Sequence, residues 1–135
     1  MTVVLKLKSI IAAAGLALSA STASAEVLSK SEQYYIANVV SGPLVSAVCD
    51  AKIKRGVLTD IADRLGIDDG LRKAAFAAYS LVLEAPYERD DLVPAVTRFV
   101  VDAEESVVSD ITGPSKKAGC AKFVKILRDN GVLEK

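Results

Sequence analysis

The chain contains two cysteines, Cys49 and Cys120, and a bond between them would constrain its fold more than any other feature. Each lies among apolar residues at helical spacing, so the bond would join two helices that are distant in sequence. Closing a loop of about 70 residues removes roughly 4 kcal/mol of unfolded-state entropy in the simple chain model. Two cysteines in a chain of this size, if it is exported to an oxidising compartment, most economically form one bridge, with free thiols or a bond between two chains as the alternatives.

Residues 1–25 show the three features of a signal peptide in the required order. Two lysines give a positive start, an uncharged apolar stretch follows, and Ala23-Ser24-Ala25 forms a small-x-small cleavage site. The apolar stretch is shorter than the roughly 20 residues that cross a bilayer, which disfavours an uncleaved anchor. We therefore expect cleavage between Ala25 and Glu26, a periplasmic or secreted protein, and no transmembrane segment after processing.

Residues 26–135 have the length of a single domain. The two lysines of the signal peptide are lost on cleavage, which leaves two more acidic than basic side chains in the mature protein. A nucleic-acid partner is not expected, because such partners select strongly basic surfaces. The chain has no tryptophan and few other aromatic residues, so its core must consist mainly of aliphatic side chains and alanine.

Helical patterns recur from the beginning of this domain, each with its own start and stop residues. Ser29-Lys30-Ser31-Glu32 is a capping box that begins the first helix. Ser41-Gly42-Pro43 is expected to interrupt that helix, because proline lacks an N–H and crowds the preceding turn. A separate helical segment over 44–55 would then end at Gly56.

The middle of the domain contains two further helices by the same criteria. Thr59 can cap a short helix that runs to Leu65. Asp68 or Asp69 can begin a helix over 71–84, whose leucine, alanine and valine residues fall on one face.

The last two helices complete the predicted fold. Asp90 or Asp91 is expected to begin the longest helix, which Gly113-Pro114 ends. Ser115 is the expected cap of the final helix, and Gly131 stands where a left-handed closing residue belongs. No segment shows the alternation of a β-strand. The sequence therefore predicts an all-α fold, a small bundle of about five helices stapled by one disulfide and preceded by a cleaved signal peptide.

The residue types argue against an enzyme. The chain has no histidine, the commonest general base and transition-metal ligand, and neither cysteine lies in a C-x-x-C redox or C-x-x-C-H haem motif. Clusters of acids stand at helix starts or on polar faces and lack the full oxygen set of a calcium site. These clusters are Asp68-Asp69, Glu88 with Asp90-Asp91, and Asp102 with Glu104-Glu105. We predict no catalytic residues, no metal site and no cofactor.

Residues 58–72 resemble the first helix and turn of a helix-turn-helix DNA-binding motif. Leu71 falls one place out of register, and the segment that should be a basic recognition helix is rich in alanine. Export and the slight net acidity also argue against DNA. An ordinary pair of helices is the better interpretation.

Five residues are candidates for an interface. Lys116 and Lys117 place two cations in a first helical turn, where the helix dipole favours acids, so they could serve an anionic partner. Tyr34 and Tyr35 point about 100° apart on a helix, so one of the two rings is expected to be exposed. Tyr87 is a third tyrosine that could take part in a contact.

The layout of a signal peptide, a short helical domain and one disulfide resembles small periplasmic acid-stress chaperones and helical immunity proteins. The resemblance is one of layout, since no family motif surrounds either cysteine and the tryptophan that precedes the first cysteine of the acid-stress chaperones is absent. We expect an exported, non-enzymatic protein that binds another envelope or secreted protein, as an inhibitor, immunity factor, adaptor or protective chaperone. The alternative is a carrier that holds a small apolar ligand between its helices.

Overall fold

The computed structural model describes residues 27–135, so the predicted signal peptide and its cleavage site lie outside the described residues. Within 27–135 the chain forms five α-helices and no β-strand, which confirms the predicted all-α bundle. The helices are α1 (Lys30–Val48), α2 (Val57–Leu65), α3 (Asp69–Val82), α4 (Pro94–Ile111) and α5 (Lys116–Asp129). No helix in this part of the chain is both long and apolar enough to cross a membrane.

Helix α4 is the centre of the bundle and packs against α1, α3 and α5. Gln33 of α1 and Phe99 of α4 border the same surface depression, so the starts of these two helices lie close together. Burial of aliphatic side chains stabilises this packing by about 1.5–3 kcal/mol each. The large side chains that are fully buried are Ile36, Val40, Val45, Ile61, Val96, Val100, Ile111, Leu127, Val132 and Leu133.

The predicted break at Ser41-Gly42-Pro43 and the separate helix over 44–55 are both wrong, because α1 runs without interruption to Val48. A proline inside a helix costs about 3 kcal/mol or more through the lost hydrogen bond and the crowded turn. Packing offsets this cost, since Val40 and Val45 on either side of the proline are fully buried.

Gly42 allows the chain that leaves α1 to lie directly against the helix. A Cβ atom at this position would come within 3.1 Å of Ile53 Cδ1 and 3.3 Å of Val132 Cγ1. The local break signal therefore marks a close packing contact rather than a helix end.

The last residues of the chain fill the core beside α1. The backbone N–H of Lys54 donates to the carbonyl of Val132 at 2.9 Å, and that of Glu134 donates to the carbonyl of Lys52 at 2.7 Å. Val132 and Leu133 are at most 1% exposed. The segments that follow α1 and α5 are thus paired with each other, and the second of them closes the core.

Three helix ends are as predicted. In the capping box of α1, the Ser29 hydroxyl accepts from the N–H of Glu32 at 3.0 Å, and the Glu32 carboxylate accepts from the N–H of Ser29 at 2.8 Å. Asp68 caps α3 by accepting from the N–H of Leu71 at 2.7 Å. Gly131 has a φ of +79° and ends α5, where the N–H of Val132 donates to the carbonyl of Leu127 at 2.8 Å as in a Schellman ending.

The start of α4 differs from the prediction. The helix begins at Pro94, and Val93 before it is extended, with φ −125° and ψ 122°. A proline at the first helical position loses no hydrogen bond and biases the residue before it away from helical geometry. Asp90 and Asp91, the predicted caps, lie instead in a 3-10 turn over Arg89–Asp91.

Two further predicted caps are wrong. α2 begins at Val57, two residues before Thr59. Ser115 has a helical backbone (φ −86°, ψ −5°) and makes no side-chain cap hydrogen bond, because the 3-10 turn over Gly113–Ser115 leads directly into α5. A capping serine needs an extended backbone for its hydroxyl to reach the first free N–H groups.

The disulfide between Cys49 and Cys120 is present, with a Cα–Cα distance of 5.5 Å. It joins the residue that ends α1 to the second turn of α5. The predicted intramolecular bridge is confirmed, and it connects helices that run in opposite directions on one side of the bundle.

Candidate functional site

Helix α3 is covered by its neighbours over most of its circumference. Its alanines at 74, 75, 77 and 78 are at most 1% exposed, and the helix packs against α4 and α1. Alanine has no side chain beyond Cβ, so the backbones of neighbouring helices can approach closely at these positions. Only a narrow part of α3 faces solvent.

That part of α3 carries large side chains. Phe76 is 67% exposed, and Leu83, the residue that caps the end of α3, is 49% exposed two turns further on. Lys73 and the half-buried Tyr79 lie within roughly 60° of Phe76 around the helix. We call these four residues (Lys73, Phe76, Tyr79 and Leu83) the α3 strip.

The exposure of Phe76 is the most informative property of the strip. Burying a phenylalanine ring contributes about 1.5–3 kcal/mol, a stabilisation that the described chain does not obtain at this position. Single exposed apolar residues are common on protein surfaces, whereas neighbouring ones mark contact sites. Here a phenylalanine, a tyrosine and a leucine follow one another along α3 and its cap residue.

Tyr79 keeps the centre of the strip uncharged. Burial raises the pKa of its hydroxyl, and the nearby Glu104 carboxylate of α4 raises it further. Burial, with a contribution from Glu105, also raises the pKa of Glu104. The Tyr79 hydroxyl therefore stays protonated at neutral pH and can donate a hydrogen bond.

The strip begins with a charged residue, Lys73, and a second charged residue, Glu84, follows its other end. Lys73 Nζ lies 3.3 Å from Asp69 Oδ2 in an exposed pair on the same helix. Arg72 turns away, since its guanidinium lies 3.0 Å from Asp63 and donates to the carbonyl of Ile67 at 2.9 Å. Glu84 follows the strip, as the residue after the cap of α3.

Glu84 has a left-handed backbone, with a φ of +59°, and closes α3 as the residue after its cap. A non-glycine residue in this region costs roughly 1 kcal/mol or more. We expect Glu84→Gly to raise the free energy of unfolding by about 1 kcal/mol in urea denaturation. Glu88→Gly is the matched control, because Glu88 has a φ of −91°, and there glycine should lower the stability by about 0.5 kcal/mol. Equal effects at the two positions would contradict the left-handed assignment of Glu84.

The structure does not bring the five predicted interface residues together. Tyr34 is 40% exposed and Tyr87 is 36% exposed, at the end of the bundle where α1 and α4 begin. Lys116 and Lys117 are exposed at the opposite end, about 27 Å away along the 18 residues of α4. Tyr35 is 8% exposed and packs in the core, so one ring of the pair Tyr34-Tyr35 is exposed, as predicted.

Phe76 was not predicted as a functional residue. The apolar face expected on this helix consists of Leu71, Ala74, Ala75, Ala78 and Val82, and Phe76 lies off that face at helical spacing. The sequence pattern that could have identified Phe76 is a large aromatic residue on the side of the helix opposite its alanine-rich face.

The described residues contain no group of three or more His, Cys, Asp or Glu side chains that could hold a metal ion. Two surface depressions are open to solvent and have a mixed lining. One lies between α4 and α5 beside Asp110, Gly119 and Lys122, with Lys122 Nζ 3.4 Å from Asp110 Oδ2. The other includes Arg98 and Asp102 of α4.

No protein-family model matches the chain, and no characterised protein and no solved structure gives a match either. The α3 strip is therefore the feature from which a function can be argued.

Proposed function

We propose that the chain is an exported, non-enzymatic protein that binds another envelope or secreted protein through the α3 strip. The observation that supports this most directly is the exposure of Phe76, 67%, on a helix whose alanine-rich face is buried. Such a protein would act as an inhibitor, immunity factor, adaptor or protective chaperone.

Export is supported by the features of residues 1–25 and by the disulfide. A disulfide is compatible with an oxidising extracellular compartment, where such bonds persist. The order of positive start, apolar stretch and cleavage site is that of a secretory signal. We favour the bacterial periplasm as the final location.

A protein partner suits the chemistry of the strip. Energetically dominant interface residues are enriched in aromatic side chains and are surrounded by contacts that exclude water. The strip combines Phe76 and Tyr79 with Leu83 and has a charged residue at each end. Because α3 is held by the bundle, presenting this surface to a partner requires little additional ordering.

A carrier would need an apolar space between its helices. Neither of the two depressions described above is such a space, because both are open to solvent and include charged side chains.

Site-specific photo-crosslinking tests the proposal. A photoreactive phenylalanine analogue at position 76 is expected to form a discrete adduct with a second protein in cells that express the full chain. The matched control places the same analogue at Ile126, which is 43% exposed on α5, and should give no such adduct. The adduct at position 76 then identifies the partner by mass spectrometry.

Binding of the identified partner should depend on the ring. We expect Phe76→Ser to weaken binding by about 30-fold or more, which is the usual effect of losing a dominant aromatic contact. Ile126→Ser should leave the affinity unchanged. Absence of a foreign adduct at position 76, or equal adducts at both positions, would overturn the proposal.

A further inference from the structure

We propose that a second surface of the chain, on α5 and the segment after α1, docks on the anionic lipid headgroups of a membrane surface. This surface, which we call the basic face, carries six exposed basic side chains: Lys52, Lys54, Arg55, Lys117, Lys125 and Arg128. It lies on α5, which packs against α4 and α1, whereas the strip belongs to α3. The inference therefore goes beyond the proposed function and does not depend on it.

The chain separates its charges between two parts. Residues 57–111 contain twelve acidic and five basic side chains. Residues 49–56 and 112–135 together contain nine basic and three acidic ones. The domain is slightly acidic overall and yet has a strongly basic part, and such a charge asymmetry indicates attraction to an anionic surface.

The fold brings the basic segments together. The disulfide holds the end of α1 against α5. The backbone N–H of Lys54 donates to the carbonyl of Val132 at 2.9 Å, so the segment after α1 lies beside the segment after α5. Arg128 Nε donates to the carbonyl of Glu134 at 3.1 Å, so this second segment lies beside α5 itself. The basic parts of the chain therefore form one continuous surface.

Lys52 and Lys54 point away from the core. Ile53 between them forms an antiparallel bridge with Leu133 and packs against the core. Side chains alternate along an extended segment, so the two lysines project to the side opposite Ile53. Both lysines and the following Arg55 are exposed.

The basic side chains of α5 also face solvent. Lys125 lies about 160° around the helix from the buried Leu127. Lys117 and Arg128 lie within about 80° of Lys125 around the helix, so the three cations share its outer side. Lys117, one of the two lysines predicted to serve an anionic partner, adds its charge to the positive end of the helix dipole.

The charge of the basic face is largely free of neighbouring carboxylates. Lys125 Nζ lies 3.0 Å from Asp129 Oδ2, in an exposed pair of a kind that contributes little. The other five basic side chains of the face form no ion pair within residues 27–135. The face is therefore available to an anionic partner.

The residue types of the basic face favour a lipid surface over a protein. Protein interfaces are enriched in aromatic residues and arginine and depleted in lysine. The basic face has four lysines and two arginines, and the small Ala121 stands between Lys117 and Lys125 on α5. Clusters of four to eight lysine and arginine side chains are typical of surfaces that bind anionic headgroups.

Co-sedimentation with lipid vesicles tests the inference. Purified, disulfide-bonded protein from cells that express the full chain is expected to bind vesicles that contain equal amounts of phosphatidylglycerol and phosphatidylcholine. It should not bind vesicles of phosphatidylcholine alone. Binding should be lost as salt is raised from about 0.1 M to about 1 M, because exposed charges are then screened. No binding to the anionic vesicles, or equal binding to both kinds, would overturn the inference.

Neutral variants test the location of the contact. Lys54→Gln combined with Lys117→Gln should weaken vesicle binding about 25-fold, since each lysine near an anionic surface contributes about fivefold in affinity. Lys73→Gln combined with Arg98→Gln is the matched control, because it removes two exposed cations outside the basic face. The control should bind as the unaltered chain does. Equal weakening by the two pairs would show that net charge alone governs binding and would overturn the basic face.

Two further measurements separate this inference from its rivals. Phe76→Ser should leave vesicle binding unchanged, and a loss of binding in this variant would place the contact on the α3 strip and overturn the inference. Stronger binding to duplex DNA than to the anionic vesicles at the same salt concentration would overturn the lipid assignment. Vesicle binding by the basic face without any foreign adduct at position 76 supports the inference and overturns the proposed function alone.

Discussion

Replacing Cys49 and Cys120 together with alanine is expected to lower the free energy of unfolding by about 4 kcal/mol. The two cysteines are 71 positions apart, so their bond removes much of the freedom of the unfolded chain. Domains of this size are stable by only about 5–15 kcal/mol. The midpoint of thermal unfolding should therefore fall by about 15 °C.

Urea denaturation followed by circular dichroism measures this effect directly. Reduction of the unaltered chain is the matched control, because it breaks the bond without removing either side chain, and it should give nearly the same loss. The double variant avoids a single free thiol, which could form bonds between chains. A loss below about 1 kcal/mol in both forms would contradict the role assigned to the bond.

The bond has a large effect because of where it lies. Cys49 is the residue that ends α1, and Cys120 is in the second turn of α5, so the bond fixes the two helices that carry the paired segments after them. Loss of the bond frees α5, which holds Leu127, and the last residues Val132 and Leu133, all fully buried. We expect hydrogen exchange in the reduced protein to increase first in α5 and in the segment after it.

Local signals in the sequence predicted the features that depend on neighbouring residues. The capping box at Ser29 and Glu32, the cap at Asp68 and the closing turn at Gly131 each involve side chains or N–H groups within a few positions. The buried face of each helix likewise follows from the spacing of apolar residues along one element. These features therefore agree with the structure.

The features that depend on distant parts of the chain could not be predicted in this way. Pro43 remains inside a helix because Val40 and Val45 on either side of it are buried, and residues 53 and 132 pack against the neighbouring Gly42, a contact that nothing in the local sequence shows. The wrong cap at Ser115 has a local cause instead, because the 3-10 turn over Gly113–Ser115 gives this favourable cap residue a helical backbone. The exposure of Phe76 depends on how closely α1 and α4 enclose α3, which only the packed bundle determines.

Replacing Gly119 with alanine is expected to lower the free energy of unfolding by about 3 kcal/mol or more. A Cβ atom at this position would overlap the carbonyl oxygen of Asp110 and lie 2.5 Å from its carbon. Both atoms belong to the backbone of α4, so no side-chain rotation can relieve the overlap. α5 must move away from α4, and overpacking of this kind typically costs 1–3 kcal/mol, occasionally more.

The sign of this effect makes the test decisive, because glycine-to-alanine changes inside helices usually stabilise by about 1 kcal/mol. Gly70→Ala in the first turn of α3 is the matched control. There the nearest atom, Asp68 Oδ1, would be 3.4 Å from the new Cβ, an ordinary contact, so we expect a gain of about 0.5 kcal/mol. If Gly119→Ala gave a similar gain in urea denaturation, the close approach of α5 to the end of α4 would be wrong. The expected loss would instead show that Cys120 is positioned for its bond by a helix contact that only glycine permits.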